Sequence, residues 1–144
     1  MRERATVLLV RQQAVLLVKE RSGPWLLPGG SVEYDELAIV AAIRALHEET
    51  GVAANAAAFL FQQASAHHIH HVFRIAIPDD VNPRAGFGSV LDDLRWVDPS
   101  QIANMQTTPG TKAILNRALG LAPEAVKPVW QRMGASVGLG KRWR

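Results

Sequence analysis

Short runs of apolar residues alternate with polar breaks along the first part of the chain. The segments "TVLLV" (6–10) and "AVLLVKE" (14–20) are aliphatic and β-branched, and the polar "RQQ" between them predicts two strands joined as a hairpin. The segment "LLP" (26–28) predicts a brief extended piece, and the two glycines after it predict a flexible turn. This part of the chain is therefore expected to supply strands to a sheet.

The pattern becomes helical after the glycine turn. Alanine and leucine dominate from Asp35 or Glu36 to Thr50, with acidic residues in the predicted first turn, and Gly51 is a favourable residue for ending a helix. A second helix is predicted over "TPGTKAILNRALG" (108–120), which ends in its own glycine.

Two further strands are predicted between these helices, at "AAAFLFQQAS" (56–65) and "HIHHVFRIAI" (68–77). Alternate residues of the second strand share a face. One face carries Ile69, Phe73, Ile75 and Ile77, and the other carries His70, Val72, Arg74 and Ala76. A loop rich in Pro, Gly and Asn (78–89) then leads to a short strand at "LRWV" (94–97). Strands and helices mix without strict alternation, so the expected fold class is α/β, a mixed β-sheet with helices packed on it.

Composition places the 144-residue chain among single-domain globular proteins, with 48% apolar and 20% charged residues. It has no cysteine, so disulfides and thiolate metal sites are excluded and a reducing cytoplasm fits best. No apolar run reaches the roughly 18 residues that span a bilayer. The "RQQ" break also ends the first apolar stretch too early for a signal peptide. We expect a cytoplasmic protein that does not bind membranes.

The net charge of +3 is placed unevenly. Residues 1–120 hold 11 basic and 12 acidic residues, whereas residues 121–144 hold five basic residues and one acidic residue. We therefore predict one domain at 1–120 and a basic C-terminal tail at 121–144, as a short helix or a disordered end. The body has no basic surface that would predict a nucleic-acid partner. The oligomeric state stays open, a homodimer being the commonest closed assembly.

Carboxylates concentrate at the end of the first helix. At about 100° per residue, Glu48 and Glu49 lie on either side of position 45. Arg44 is four residues before Glu48, which is close enough for an ion pair, and Glu36 begins the same predicted helix. Carboxylates gathered in this way repel one another unless a cation lies among them. A hard divalent ion is the natural candidate, with Mg²⁺ before Zn²⁺ and Mn²⁺ as a substitute, and Mg²⁺ usually shares its shell with phosphates.

The full spacing over residues 30–52, "GSVEYDELAIVAAIRALHEETGV", resembles the Nudix box. The matching residues are Gly30, Glu36, Arg44, Leu46, Glu48, Glu49, Gly51 and Val52. The six fixed identities among them would arise by chance on the order of once in 10⁷ starting points. The flanking segments "WLLPGG" and "LRWVDPSQI", and Glu33 within "GGSVE", also resemble Nudix domains. The resemblance covers roughly residues 4–120.

This resemblance implies an α/β/α sandwich and Mg²⁺-dependent hydrolysis of a nucleoside diphosphate linked to another group. In the implied reaction, water attacks a phosphorus atom and a base takes its proton. By position match, the implied metal ligands are Glu48 and Glu49, with Glu36 as a further ligand directly or through water. Arg44 is implied as an orienting partner, and Gly29 and Gly30 as the loop on the phosphate side.

Ala45 departs from the family pattern, which has a glutamate directly after the arginine. In many members that glutamate is a metal ligand and is often assigned as the general base. One account is an enzyme whose base comes from elsewhere. Asp92 and Asp93 are then the best-placed acids, and His68 or His70 comes next.

The second account is a domain that has lost catalysis and binds nucleotides or a partner. Such a domain would be expected to lose more than one acid, because clustered carboxylates are costly to keep. Glu36, Glu48, Glu49 and Arg44 are all present, so we favour a working enzyme whose turnover is weakened by Ala45.

Substrate choice in this family depends on residues outside the box. Relatives that cleave ADP-ribose tend to carry a proline where this chain has His67, and no proline occurs from 52 to 77. Relatives that cleave dinucleoside polyphosphates tend to carry a tyrosine in that region, but the chain's one tyrosine is Tyr34. A nucleoside triphosphate is therefore the expected substrate, with a nucleotide sugar as the runner-up. Arg74 and His70 are candidates to contact it.

Overall fold

Seven strands form one sheet in a computed structural model, which describes residues 1–86 and 88–120. The strands are β1 (Arg2–Arg11), β2 (Ala14–Glu20), β3 (Trp25–Leu26), β4 (Gly29–Ser31), β5 (Ala58–Ala64), β6 (His68–Ala76) and β7 (Leu91–Val97). The helices are α1 (Ala38–Thr50), α2 (Pro109–Leu119) and a 3₁₀ helix at Pro99–Asn104. The tail predicted at 121–144 lies outside the described residues.

The sheet is mixed, as the sequence predicts. Its main order is β3-β2-β1-β6-β5, while β4 also pairs with β1 and β7 with β2. Strands β1 and β6 run parallel, and the other pairs are antiparallel. The predicted hairpin is confirmed, because Arg11 of β1 is paired with Ala14 of β2. Among the described residues, no helix is long and apolar enough to cross a membrane.

Each face of the sheet is covered by one helix, because residues alternate between the faces along the central strands. On one face, Ala5, Val7 and Leu9 of β1 pack with Ala41, Ala42 and Leu46 of α1. On the other face, Leu8 and Val10 of β1 pack with Ile114 and Leu115 of α2. The two cores confirm the α/β/α sandwich. The faces predicted for β6 are also confirmed, since Phe73 and Ile75 lie in the first core and Val72 in the second.

Helix α1 begins later than the sequence predicts. It begins at Ala38, so Glu36 does not open the helix and the first turn holds no acidic residue. Asp35 has a φ of 63°, in the left-handed region, and the Glu36 N–H donates to the Glu33 carbonyl oxygen at 3.0 Å. The chain thus makes a tight turn before the helix. The predicted end of α1 is confirmed by Gly51, whose φ is 74°.

Strand β7 is longer than predicted and includes Asp92 and Asp93, which precede the predicted segment 94–97. The reason is pairing with β2, which places Asp93 opposite Lys19. Both aspartate side chains are exposed, so the ladder extends through them without burying a charge.

Arg44 holds the turn before α1 against the helix. Its Nε donates to Glu36 Oε2 at 2.8 Å and its Nη2 to Glu36 Oε1 at 3.0 Å. The same Nη2 donates to the Ser31 carbonyl oxygen, and Nη1 donates to Glu48 Oε1 at 3.1 Å. One guanidinium therefore joins the end of β4, the turn and the last part of α1.

Replacing Arg44 should change how the free energy of unfolding depends on pH. The Arg44 guanidinium lowers the pKa of Glu36 from 4.5 to about 2. Because the folded pKa is depressed, this contribution is full above about pH 4.5 and is lost as the pH falls toward 2. We expect Arg44→Gln to have a lower free energy of unfolding than the wild type at neutral pH. Between pH 4.5 and 2, the free energy of unfolding should fall less in the variant than in the wild type, as measured by urea denaturation.

The control for this prediction is Arg95→Gln. Arg95 makes an exposed ion pair with Asp93 at 4.0 Å, which should contribute little. Its acid profile should match the wild type. If the free energy of unfolding falls equally with pH in the wild type and in Arg44→Gln, the ion pair between Arg44 and Glu36 is not the source of the acid dependence.

Candidate active site

Glu48 and Glu49 lie side by side in the last turn of α1 and differ in environment. Glu49 is partly buried, and its Oε1 accepts a hydrogen bond from the Gly29 N–H at 2.9 Å. Glu48 is exposed and its Oε1 accepts from Arg44. The second oxygen of each carboxylate accepts no side-chain or backbone hydrogen bond within the described ranges. Each glutamate therefore has one oriented oxygen and one available oxygen.

The glycine pair of β4 is packed tightly between β1 and α1. A side chain on Gly29 would overlap the Ala5 carbonyl oxygen, since β4 pairs with β1 at this point. A Cβ on Gly30 would lie 3.0 Å from the Cβ of Ala45. Ala45 is 3% exposed, so its methyl group is covered by the backbone of the glycine loop. Small residues at these positions bring the loop and the carboxylates together.

Burial raises the pKa of Glu49 above its ordinary value. The hydrogen bond from the Gly29 N–H and the positive charge of Arg4 act in the opposite direction and offset only part of this shift. Glu48 and Glu49 offer hard oxygen donors, and Mg²⁺ is commonly held by one or two carboxylates together with water and phosphates. The pair therefore fits such an ion. Both oxygens of Glu36, the further predicted ligand, accept hydrogen bonds from Arg44. Within residues 1–86 and 88–120, no group of three or more acidic or histidine side chains is arranged around a common metal position.

A cavity of about 420 Å³ lies between the sheet and the start of α2. Its polar wall includes Arg4 and Thr6 of β1, Glu20 at the end of β2, and His70 of β6. The first turn of α2, at Thr108–Thr111, forms another part of the lining. Glu20 and Arg4 both act electrostatically on Glu49. Two residues of the cavity lining are therefore near enough to Glu49 to influence its charge.

His70 is fixed and uncharged at neutral pH. Its Nδ1 lies 2.8 Å from Thr6 Oγ1 and its Nε2 lies 3.1 Å from Ser65 Oγ. Burial, followed by the charges of Arg4 and His68, lowers the pKa of His70 to about 4. Both ring nitrogens are engaged by hydroxyl groups, so His70 forms a wall of the cavity and has no free nitrogen for taking a proton. His68 lines the same cavity.

Other predicted residues lie apart from this arrangement. Arg74 lines a second cavity of about 350 Å³ with Leu60 and Leu119, although it shares a strand face with His70. Asp93 accepts from the Leu94 N–H and lies 4.0 Å from Arg95. Asp92 and Asp93 lie on β7, which pairs with β2, and neither lines the cavity.

Three residues of the site were not singled out in the sequence: Arg4, Thr6 and Glu20. A signal for two of them exists. The α2-facing positions of β1 begin polar, with Arg4 and Thr6, and then become apolar. Parallel pairing places Arg4 opposite His70. The polar start of this face of β1 thus marks part of the cavity wall, once the pairing of the strands is known.

Comparisons with known proteins agree with this architecture. The NUDIX domain family model matches residues 1–118. A Bacillus subtilis (strain 168) protein provisionally named as an 8-oxo-dGTP diphosphatase is 33% identical over 99 residues, which are 67% of this chain and 65% of the relative. The match thus spans slightly less than two thirds of the relative's length.

Two solved structures show the same fold. A nudix hydrolase family member from Chromobacterium violaceum is 27% identical, with a TM-score of 0.71 over 99% of this chain and 92% of the other. A MutT NUDIX hydrolase from Burkholderia pseudomallei is 25% identical, with a TM-score of 0.69 over 80% of this chain and 95% of the other. Because the family model matches most of its length and its α/β/α sandwich is shared with these structures, the chain belongs to the NUDIX domain family.

Proposed function

We propose that the protein is a Mg²⁺-dependent hydrolase that cleaves the pyrophosphate linkage of a nucleoside diphosphate derivative, with a nucleoside triphosphate as its substrate. The observation that carries this proposal is the placement of Glu49. Its carboxylate is oriented by the Gly29 N–H at 2.9 Å, and Arg4 and Glu20, which line the cavity, act electrostatically on it. A metal-binding pair next to a cavity suits a substrate that has phosphates at one end and an organic group at the other.

Each residue of the site has a separate role in the proposed reaction. Glu48 and Glu49 would hold a divalent ion, which would supply positive charge to offset the charge that develops on the phosphate oxygens. Arg44 keeps Glu48 oriented, and Glu36 in turn orients Arg44. The glycine loop lets the backbone approach the phosphates.

The reaction is a displacement at phosphorus. A water oxygen forms a bond to phosphorus, the bridging P–O bond breaks, and its electron pair leaves with the diphosphate group. The proton of the water passes to a base. Ala45 has no group to accept it, and Asp92 and Asp93 stay candidates for that role. Glu20 joins them as a carboxylate that lines the cavity.

The relative from Bacillus subtilis supports an oxidised purine nucleoside triphosphate as the first compound to test, because its name refers to 8-oxo-dGTP. The cavity of about 420 Å³ has room for a nucleobase, and the uncharged His70 in its wall is suited to a neutral group. A nucleotide sugar stays the second candidate.

A binding module without catalysis is the alternative that Ala45 favours. With alanine at position 45 in place of the family's glutamate, less negative charge is available to hold a metal ion. The retained pair Glu48 and Glu49, with Arg44 and Glu36 around it, supports the enzyme instead, since a module that binds no metal has no use for them.

A substrate panel tests the proposed function. Release of phosphate or pyrophosphate would be measured from 8-oxo-dGTP, ordinary nucleoside triphosphates, ADP-ribose, dinucleoside polyphosphates and nucleotide sugars. We expect turnover of a nucleoside triphosphate with Mg²⁺, and a loss of at least about 100-fold in Glu48→Gln and Glu49→Gln. Turnover that persists in excess chelator would exclude the metal mechanism. Nucleotide binding without any turnover would favour the binding module.

Restoring a carboxylate at position 45 tests the role of the missing acid. We expect Ala45→Glu to raise Mg²⁺-dependent kcat by about 100-fold, the lower end of what a positioned general base contributes. The variant should also melt at a lower temperature, because the position is only 3% exposed and packs under Gly30.

Ala45→Gln is the matched control, because it adds nearly the same volume without a carboxylate. It should lose stability in the same way without a gain in kcat. If Ala45→Glu folds and binds nucleotide but turns over no faster than the wild type, the missing glutamate does not limit this protein.

A further inference from the structure

Arg4 is a partly buried cation whose charge is not matched by a direct ion pair. It lies on β1, between the glycine loop and the cavity, and pairs with Ser31 of β4. In the part of the chain that the structure describes, no carboxylate oxygen lies within 4.0 Å of its guanidinium nitrogens. Taking a charge out of water is unfavourable unless a partner compensates it. This position therefore needs an explanation beyond packing.

The hydrogen bonds of Arg4 leave donors available. Its Nη2 donates to the Leu27 carbonyl oxygen at 3.1 Å, and this is its one side-chain hydrogen bond to the described residues. A guanidinium has five N–H donors in a fixed planar arrangement. Every fully buried side-chain nitrogen or oxygen in the described residues has a partner. The Nε and Nη1 atoms of Arg4 have none, so neither atom is fully buried, and Arg4 itself is one of the residues that line the cavity.

The surroundings keep Arg4 charged and place the positive end of a helix dipole in the same cavity. The charges of Glu49 and Glu20 help to keep Arg4 protonated, while burial lowers its pKa from the ordinary value. His70, across the strand pairing, is uncharged at neutral pH and so does not compete for an anion. The first turn of α2 lines the same cavity and presents the positive end of the helix dipole.

We propose that Arg4 is a phosphate-binding residue, whose free guanidinium donors contact the substrate phosphate at the boundary between Glu49 and the cavity. The bond to Leu27 orients the guanidinium plane, and a phosphate oxygen accepts from the remaining donors. The proposal rests on the proposed function for the identity of the substrate. It also gives the substrate a direction, with the phosphates along the carboxylates and Arg4, and the nucleoside in the cavity.

Equilibrium binding to the whole chain tests this role without turnover. Three probes would be titrated calorimetrically into the protein in chelator: inorganic pyrophosphate, an α,β-methylene analogue of GTP, and guanosine. We expect Arg4→Gln to weaken pyrophosphate and the analogue by about 10- to 100-fold, the range for a lost charge-assisted hydrogen bond. Guanosine should bind as it does to the wild type. Arg4→Lys should weaken the binding of pyrophosphate and the analogue by a smaller factor than Arg4→Gln. Lysine keeps the positive charge, although it lacks the planar arrangement of donors of a guanidinium.

Arg2→Gln is the matched control. Arg2 precedes Arg4 by two residues on the same face of β1, but it is exposed. The variant removes the same charge and should change the three affinities by less than about 2-fold, since exposed charges are screened. An equal loss in Arg2→Gln and Arg4→Gln would show a general effect of charge and would overturn the proposal.

Stability separates phosphate binding from a structural role. A cation that is buried for function should cost stability in the free protein, so Arg4→Gln should melt at or above the wild-type temperature. Melting several degrees lower, with guanosine affinity lost as well, would mean that Arg4 supports the fold, and would overturn the proposal. If Arg4→Gln does not fold, Arg4→Met, which keeps the aliphatic stem, is measured in its place.

The two proposals fail in different ways. If the wild type binds pyrophosphate through Arg4 but hydrolyses nothing in the substrate panel, the proposed function is wrong and the phosphate site stands. If the wild type hydrolyses a triphosphate and Arg4→Gln binds pyrophosphate and the analogue as tightly as the wild type, the role of Arg4 is wrong. A wild type that does not bind pyrophosphate also overturns it.

Discussion

The two ion pairs of Arg44 are the interaction on which the site depends. Glu48 and Glu49 lie at the C-terminal end of α1, where the helix dipole is negative and carboxylates are unfavourable. Arg44 supplies the opposite charge one turn earlier and also binds Glu36 through both of its oxygens. The guanidinium thus offsets the repulsion at the end of the helix. It also fixes the turn before the helix, so the glycine loop is held over Ala45.

The sequence predicts those parts of the fold that local chemistry decides. The hairpin, the end of α1 at Gly51 and the alternate faces of β6 follow from turn residues and from a spacing of two. The start of α1 could not be predicted in this way. It depends on the left-handed backbone of Asp35 and on the pairing of Glu36 with Arg44, eight residues later. Acidic residues next to a helical pattern look like a first turn unless that pairing is known.

The same limit applies to the site. The carboxylate pair is visible because its members are neighbours on one helix. The cavity wall is not, because Arg4 and His70 are 66 positions apart and meet only through the parallel pairing of β1 and β6. Strand β7 illustrates the opposite error: Asp92 and Asp93 are typical of a turn, but a ladder to β2 extends through them, since strand preference depends on context.

Ala45 has a structural meaning as well as a chemical one. Its methyl group is covered by Gly30, so the close approach of the glycine loop to α1 fits a small residue at this position. That approach brings the Gly29 N–H within 2.9 Å of Glu49 and sets the orientation of the carboxylate. The site therefore has one carboxylate fewer than the family pattern, while its backbone donor to Glu49 is well placed. Arg4 adds a positive charge that acts on Glu49. Under the proposed function, a phosphate would lie between the carboxylate pair and this cation. With fewer acids to hold a metal ion, a direct contact from Arg4 to the phosphate would then carry a larger share of substrate binding.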